Sequence, residues 1–270
     1  MSVDVEEYFH VAAFDRQIQP STWADRESRV QASTERLLGL FQAADVSATF
    51  FVLGWVAERC PQLVRRIHAA GHEIGSHGYA HEPVFRQTPA QFTEDARRSK
   101  GLLEDIVGAP VIGYRAASFS IVKRSQWAFR ILEELGFRYS SSVNPVRHDL
   151  YGFPEAPRFN FTPHGTSITE CPVTTVEVAG MRIPFGGGGY FRLIPYALFR
   201  RALKQVNASG HGCYFYTHPW EFDPEQPRIE GASWRSRFRH YNNLGRTEGR
   251  LTRLVSDFRW SRFDRVLGLA

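Results

Sequence analysis

The 270-residue sequence predicts an α/β fold: a mostly parallel sheet with helices outside it, closed or nearly closed into a barrel. Three observations predict it. Apolar, β-branched and aromatic runs alternate with segments of helical periodicity, helix start and stop signals fall between them, and the chemically active side chains follow the runs.

In chain order, SVDV opens the first strand, which ends at Asp4, Glu6 and Glu7. SATFFVL (47–53) has the composition of a buried strand, and PQLVRRIHAAG has helical spacing at Leu63, Val64 and Ile67, stopped by Gly71. HEIGSH is the next strand, followed by a helix announced by Thr88, Pro89 and Gln91, a capping box with proline in the first turn. PVIGYR, a helix over about 124–136, and FRYSSS repeat the unit, and PYALFRRALKQVNASG then reads as a helix closed by Gly210 ahead of the strand CYFYTH. Residues 145 to about 190 break the rhythm: FNFTPHGTSITECPVTTVEVAGMRIPF alternates with period two between turn residues, as β-hairpins do. This stretch is read as an insertion in a single domain spanning 1–270, with an arginine-rich extension over about 228–270. GGGG at 186–189 lacks the Lys-Ser/Thr of a phosphate loop and any dinucleotide spacing, which leaves a mobile or tightly packed turn.

A composition 43% hydrophobic and 14% aromatic is enough for a large core. The longest nearly apolar window, VSATFFVLGWVA, runs about 12 residues, short of the roughly 18 a membrane span needs. Acidic residues follow the first methionine at once, unlike a secretory leader, so the expected location is cytoplasmic, with peripheral membrane contact open and secretion only if a leader precedes this sequence. Cys60, Cys171 and Cys213 are odd in number and scattered, and are expected to be reduced thiols. The net charge of +5 comes with 30 arginines against three lysines, a bias better explained by base composition than by nucleic acid, so no nucleic-acid partner is expected.

His77 and His81 stand four apart in SHGYAH, a spacing that carries little weight alone, since His68 and His72 share it. Position gives it weight. Asp4, Glu6, Glu7, His77, His81, Arg115 and His218 all fall at or just after the carboxyl ends of the expected strands, where parallel α/β folds assemble their sites. Two imidazoles and one carboxylate leave positions for water on a Zn²⁺-like ion, a second carboxylate can take a proton from that water, and His218 is placed to protonate a leaving group. Gly78 stands where a zincin needs glutamate, which argues against that peptidase chemistry. Trp220 and Tyr79, beside the histidine motifs, could stack on a sugar ring or simply fill core.

With these residues in hand, the chain resembles the polysaccharide deacetylases of the NodB-homology, carbohydrate esterase family 4 type, and more closely a subgroup of exopolysaccharide and exosortase-associated loci. The carriers are SVDVEEYF, FFVLGWVAE, SHGYAHE, YRAASFSI, PFGGGGYFRL, FYTHPWEFD and RFRHYNNLGRTEGRL. The resemblance implies a distorted (β/α) barrel of about seven strands, a divalent metal, zinc or cobalt, and hydrolysis of N-acetyl groups on hexosamines of a polysaccharide or its lipid-linked precursor. It places Asp4 as catalytic base, His77 and His81 as metal ligands, Arg115 as the brace of the base and His218 as catalytic acid. The usual Asp-Asp pair is here Asp-Val-Glu-Glu, which moves the acidic ligand to Glu6, with Glu7 as a substitute; on a regular strand Glu6 shares the face of Asp4 and Glu7 does not. The prolines usual after Arg115 are replaced by AASFS, and an aspartate expected near YSSSVNP is absent. A structural pairing of Arg115, a metal-independent amide hydrolase and a non-catalytic glycan-binding protein are the competing expectations.

Overall fold

The computed structural model of the protein describes residues 1–147 and 152–270, which form nine strands and ten α-helices with short 3-10 turns between them. The strands are β1 (Ser2–Val5), β2 (Thr49–Val52), β3 (Glu73–Ser76), β4 (Gly113–Tyr114), β5 (Tyr139–Ser140), β6 (Thr169–Glu170), β7 (Thr175–Val178), β8 (Met181–Pro184) and β9 (Tyr216–Thr217). Seven of them form one curled sheet in the order β6-β5-β4-β3-β2-β1-β9, every neighbour parallel. The α/β barrel-like architecture expected from the sequence is therefore present, and β7–β8 form the antiparallel hairpin. Within the 145–190 stretch the hairpin takes only Thr175–Pro184, while Thr169–Glu170 is an edge strand of the main sheet.

The helices are α1 (Val30–Ala43), α2 (Gly54–Arg59), α3 (Pro61–Ala69), α4 (Pro89–Val107), α5 (Trp127–Glu134), α6 (Gly188–Leu193), α7 (Tyr196–Ala208), α8 (Trp234–Tyr241), α9 (Thr247–Asp257) and α10 (Phe263–Val266). The capping box at α4 forms as the sequence predicts: Thr88 Oγ1 accepts from Gln91 N and Gln91 Oε1 accepts from Thr88 N, with Pro89 at the first position. The second His-x-x-x-His pair comes apart, because His68 lies in α3 while His72 follows the helix and its Nδ1 accepts from Ala48 N.

Strand alternation separates two apolar layers. Phe50 and Val52 of β2 pack with Leu37 and Phe41 of α1 outside the sheet, whereas Phe51 points inward to Tyr139 and Phe263. The arginine-rich carboxyl-terminal stretch is part of this packing: Leu251 and Leu254 of α9 join the outer layer, and Phe263 of α10 closes the inside of the barrel. Each such fully buried side chain is worth about 2–3 kcal/mol of transfer free energy.

Beyond the edge strand β9 the chain closes differently. Tyr216 N donates to Gly186 O at 2.7 Å, Gly187 pairs in parallel with Tyr216, and Phe185 N donates to Thr174 O at 2.8 Å. GGGG is thus a tightly packed seam. At Gly187 the backbone has φ 133°, and a Cβ there would lie 1.9 Å from Tyr216 O. The three cysteines are free thiols, as expected.

Candidate active site

The carboxyl ends of β1, β3, β4 and β9 meet at one mouth. Alternation along β1 sends Val3 and Val5 into the outer layer and turns Asp4 inward, where its Oδ1 accepts from Arg115 Nη1 at 2.6 Å. Arg115 follows β4, is 1% exposed and is held at every nitrogen: Nη1 also donates to Ser2 Oγ, Nη2 to Ser141 Oγ and Nε to Ser141 O. Its guanidinium lies 4.2 Å from the centre of the Phe51 ring. A buried arginine so fully satisfied is a rigid brace for Asp4. Where the expected aspartate near YSSSVNP is absent, serines do the work: Ser141 supports Arg115, and Glu170 accepts from Ser142 N and Val143 N.

Glu6, just past β1, faces the same mouth. Its Oε2 lies 2.7 Å from His81 Nε2 and 3.9 Å from His77 Nε2, and its Oε1 lies 3.8 Å from His218 Nε2. Glu7 turns away, as strand alternation requires. Its carboxylate accepts from Ser28 Oγ and Arg29 N, anchoring the entry to α1, so it is out of the cluster.

His77 follows β3 and His81 ends the next turn. His77 Nδ1 is 2.8 Å from Arg115 O, and because a carbonyl only accepts, that nitrogen carries the proton and Nε2 presents its lone pair to the mouth. The turn between the histidines is pinned by Asp95 of α4, whose carboxylate accepts from Tyr79 N and Ala80 N. Gly78 is required there, since its φ is +72° and a Cβ would sit 2.7 Å from Asp95 Oδ2. His81 itself is held at φ 54°, in the left-handed region that non-glycine residues rarely adopt.

The electrostatics follow from burial and proximity. Burial alone would raise the Glu6 carboxyl, but His81, His218 and His77 outweigh it and hold the pKa well below the usual carboxylate range. Burial is the main cause that brings His77 down to about 4, despite the nearby Asp4 and Glu6. His81 moves upward, because Glu6 overcomes the cost of burial.

One donor atom each from Glu6, His77 and His81 lie within 4.8 Å of one another. This set fits a divalent cation: Glu6 Oε2 is buried without any aligned hydrogen-bond donor, His77 Nε2 is bare, and one carboxylate with two imidazoles is a donor set with coordination positions to spare.

On the other side stands His218, after β9, with Nε2 4.0 Å from Asp4 Oδ2. Its Nδ1 is 3.1 Å from Glu221 Oε2, which also accepts from His218 N and Thr217 Oγ1. Glu221 Oε1 in turn accepts from Arg192 Nε at 2.7 Å, in a pair that is 1% exposed on both sides. Burial opposes a charge on His218, yet the Glu221 hydrogen bond and the Glu6 and Asp4 carboxylates push its pKa up to about 9.

The two expected stacking aromatics are placed differently. Trp220 is 6% exposed, and the rings of His218 and His240 stack against it at 4.9 and 4.1 Å. Its indole Nε1 donates to Glu6 Oε1, so it is the wall behind Glu6 and has no face left for a pyranose. Tyr79, half-buried, has Arg98 over its ring at 3.5 Å, packs on Gly54 and donates its hydroxyl to Glu58. Glu221, Arg192 and Asp95 were not singled out from sequence. Glu221 had a signal, three residues beyond His218 in HPWE, where it completes a capping box.

The sequence profile of the family described as polysaccharide deacetylase matches residues 15–140, and one described as a domain of unknown function (DUF3473) matches 141–268. A peptidoglycan-N-acetylglucosamine deacetylase from Bacillus cereus is 30% identical over 178 residues, covering 66% of this chain and 77% of that protein. The protein belongs to the polysaccharide deacetylase family. Two other curated relatives are spanned over only 39% and 36% of their own lengths. A Mycobacterium smegmatis structure assigned as a polysaccharide deacetylase shares the fold, with TM-score 0.63 at 20% identity over 99% of this chain and 87% of the other. The fold is also shared, with TM-score 0.51 at 13% identity over 88% and 62%, by a CE4 family pseudoenzyme from Bacillus anthracis.

Proposed function

We propose that the protein is a metal-dependent hydrolase that removes N-acetyl groups from hexosamine units of a polysaccharide, such as an exopolysaccharide, or of its lipid-linked precursor. The observation that carries this reading is the convergence of two separately held acid–base groups, Asp4 and His218, on either side of the Glu6–His77–His81 donor set. Glu6, His77 and His81 would hold the cation, zinc or cobalt, which supplies polarisation of the acetamide carbonyl and a water of lowered pKa. Asp4, with one oxygen fixed by Arg115, accepts the proton of the attacking water through the other. His218 delivers a proton from Nε2 to the nitrogen as the C–N bond breaks, and Glu221, backed by Arg192, holds the imidazole in the orientation that delivery needs. Acetate and a free amino sugar result.

The test is acetate release from chitooligosaccharides and from an exopolysaccharide extract, run beside metal analysis. Expected are about one cation per chain, from the one donor cluster among the described residues, and acetate release that stops with a chelator and returns with zinc or cobalt. Release that persists in a metal-free chain would favour a metal-independent amide hydrolase. Bound metal with no release from any acetylated glycan would favour a glycan-binding protein.

Glu221→Gln should shift the pH profile of this reaction. His218 acts in its protonated form, so activity is lost as pH rises through its pKa. Removing the adjacent negative charge lowers that pKa, moving the alkaline limb of kcat/KM down by roughly one pH unit or more. An alkaline limb that stays in place would remove His218 from the role of acid.

A further inference from the structure

We propose that α8, with the neighbouring α6, docks the protein onto an anionic lipid bilayer beside the mouth of the site. Trp234 is 73% exposed and Phe238, one turn later on the same face, is 51% exposed. Large apolar side chains so far out of a folded domain mark a surface made for contact. On α6, whose Gly189 packs against the carbonyl of Arg239, Tyr190 and Leu193 are likewise 40% and 53% exposed.

Charge supplies the sign of the partner. α8 carries Arg235, Arg237 and Arg239, none of which pairs with a carboxylate among the described residues, and the sequence from 231 to 247 contains no Asp or Glu. Exposed aromatics interleaved with unpaired arginines fit an interface where rings enter the head-group layer and guanidiniums meet lipid phosphates. An acidic polysaccharide would use the arginines and could stack on Trp234, but it gives no reason for the exposed aliphatic Leu193. The bilayer accounts for both.

The same helix is tied to the site. His240 near its carboxyl end is buried, donates from Nε2 to Gln226 Oε1 at 2.6 Å, and stacks on Trp220, which bonds to Glu6. Through His240 and Trp220, α8 is thus packed against the wall of the site. The docking stands on the surface alone and does not need the deacetylase reading.

The test is co-sedimentation of the full chain with phosphatidylcholine vesicles with and without phosphatidylglycerol. Binding is expected only with the anionic lipid, weakening as salt is raised. Arg235→Gln with Arg237→Gln should reduce partitioning by about fivefold per arginine, and Trp234→Ala with Phe238→Ala by roughly tenfold or more, with thermal melting unchanged because all four side chains are exposed. Equal binding to neutral vesicles, no vesicle binding, or binding unaffected by both double variants overturns the proposal. Retention on an acidic polysaccharide that the variants lose, without vesicle binding, overturns it in favour of a glycan surface. Any of these results leaves the acetate assay untouched.

Discussion

Asp4→Asn lowers acetate release by about a thousandfold or more while cation affinity stays within a few-fold of the parent. Asparagine has nearly the shape of aspartate and its oxygen can still accept from Arg115 Nη1, so the brace and the neighbouring strand keep their places. What is lost is the capacity to take a proton. The proposed cation donors Glu6, His77 and His81 are untouched by the change, whereas His77→Ala removes one of the three and should abolish metal binding and release together. Measuring metal content and turnover on the same samples separates the two roles. Metal lost with Asp4→Asn, or kept with His77→Ala, would reverse the assignments of base and ligand.

Gly187→Ala is expected to cost roughly 3 kcal/mol of stability or more, measured by denaturant unfolding. The φ of 133° there is accessible essentially to glycine alone, and the added methyl would lie 1.9 Å from Tyr216 O, a backbone atom of β9 that cannot swing away. The seam would have to open beside the strand that delivers His218. Gly212→Ala is the control, since a Cβ there meets nothing within 4 Å, and should leave stability within about 0.5 kcal/mol. Similar losses in the two variants would show that the seam is not where the stability lies.

The sequence made the fold legible wherever a strand was apolar and its helix well capped. SATFFVL and the Thr88 box are such places, and the active mouth followed because strand ends could be located from them. Period two also sets Glu6 and Glu7 on opposite sides, as they lie in the structure, because β1 is regular up to Val5. β6 was hidden inside the 145–190 stretch, since two residues, Thr169 and Glu170, present no periodicity to read. For Tyr79 and Trp220 sugar stacking and core filling both stay open in the sequence, because composition cannot tell an aromatic with a free face from one packed by Arg98 or by two imidazoles. Asp95 and Arg192 belong to no motif in the sequence, and only three-dimensional proximity reveals that one pins the histidine turn and the other steadies Glu221.

The long span between the two halves of the mouth fixes an order of events. The three proposed cation donors lie within the first 81 residues, whereas His218, the proposed acid, arrives only with β9, and the Glu6–Trp220 contact joins residues 214 apart. Closing so large a loop comes late in folding. On the proposed reading, a chain emerging from the ribosome would carry all three donors before the residue that hands over a proton, and competence for chemistry would begin only when the last parallel pairing is made.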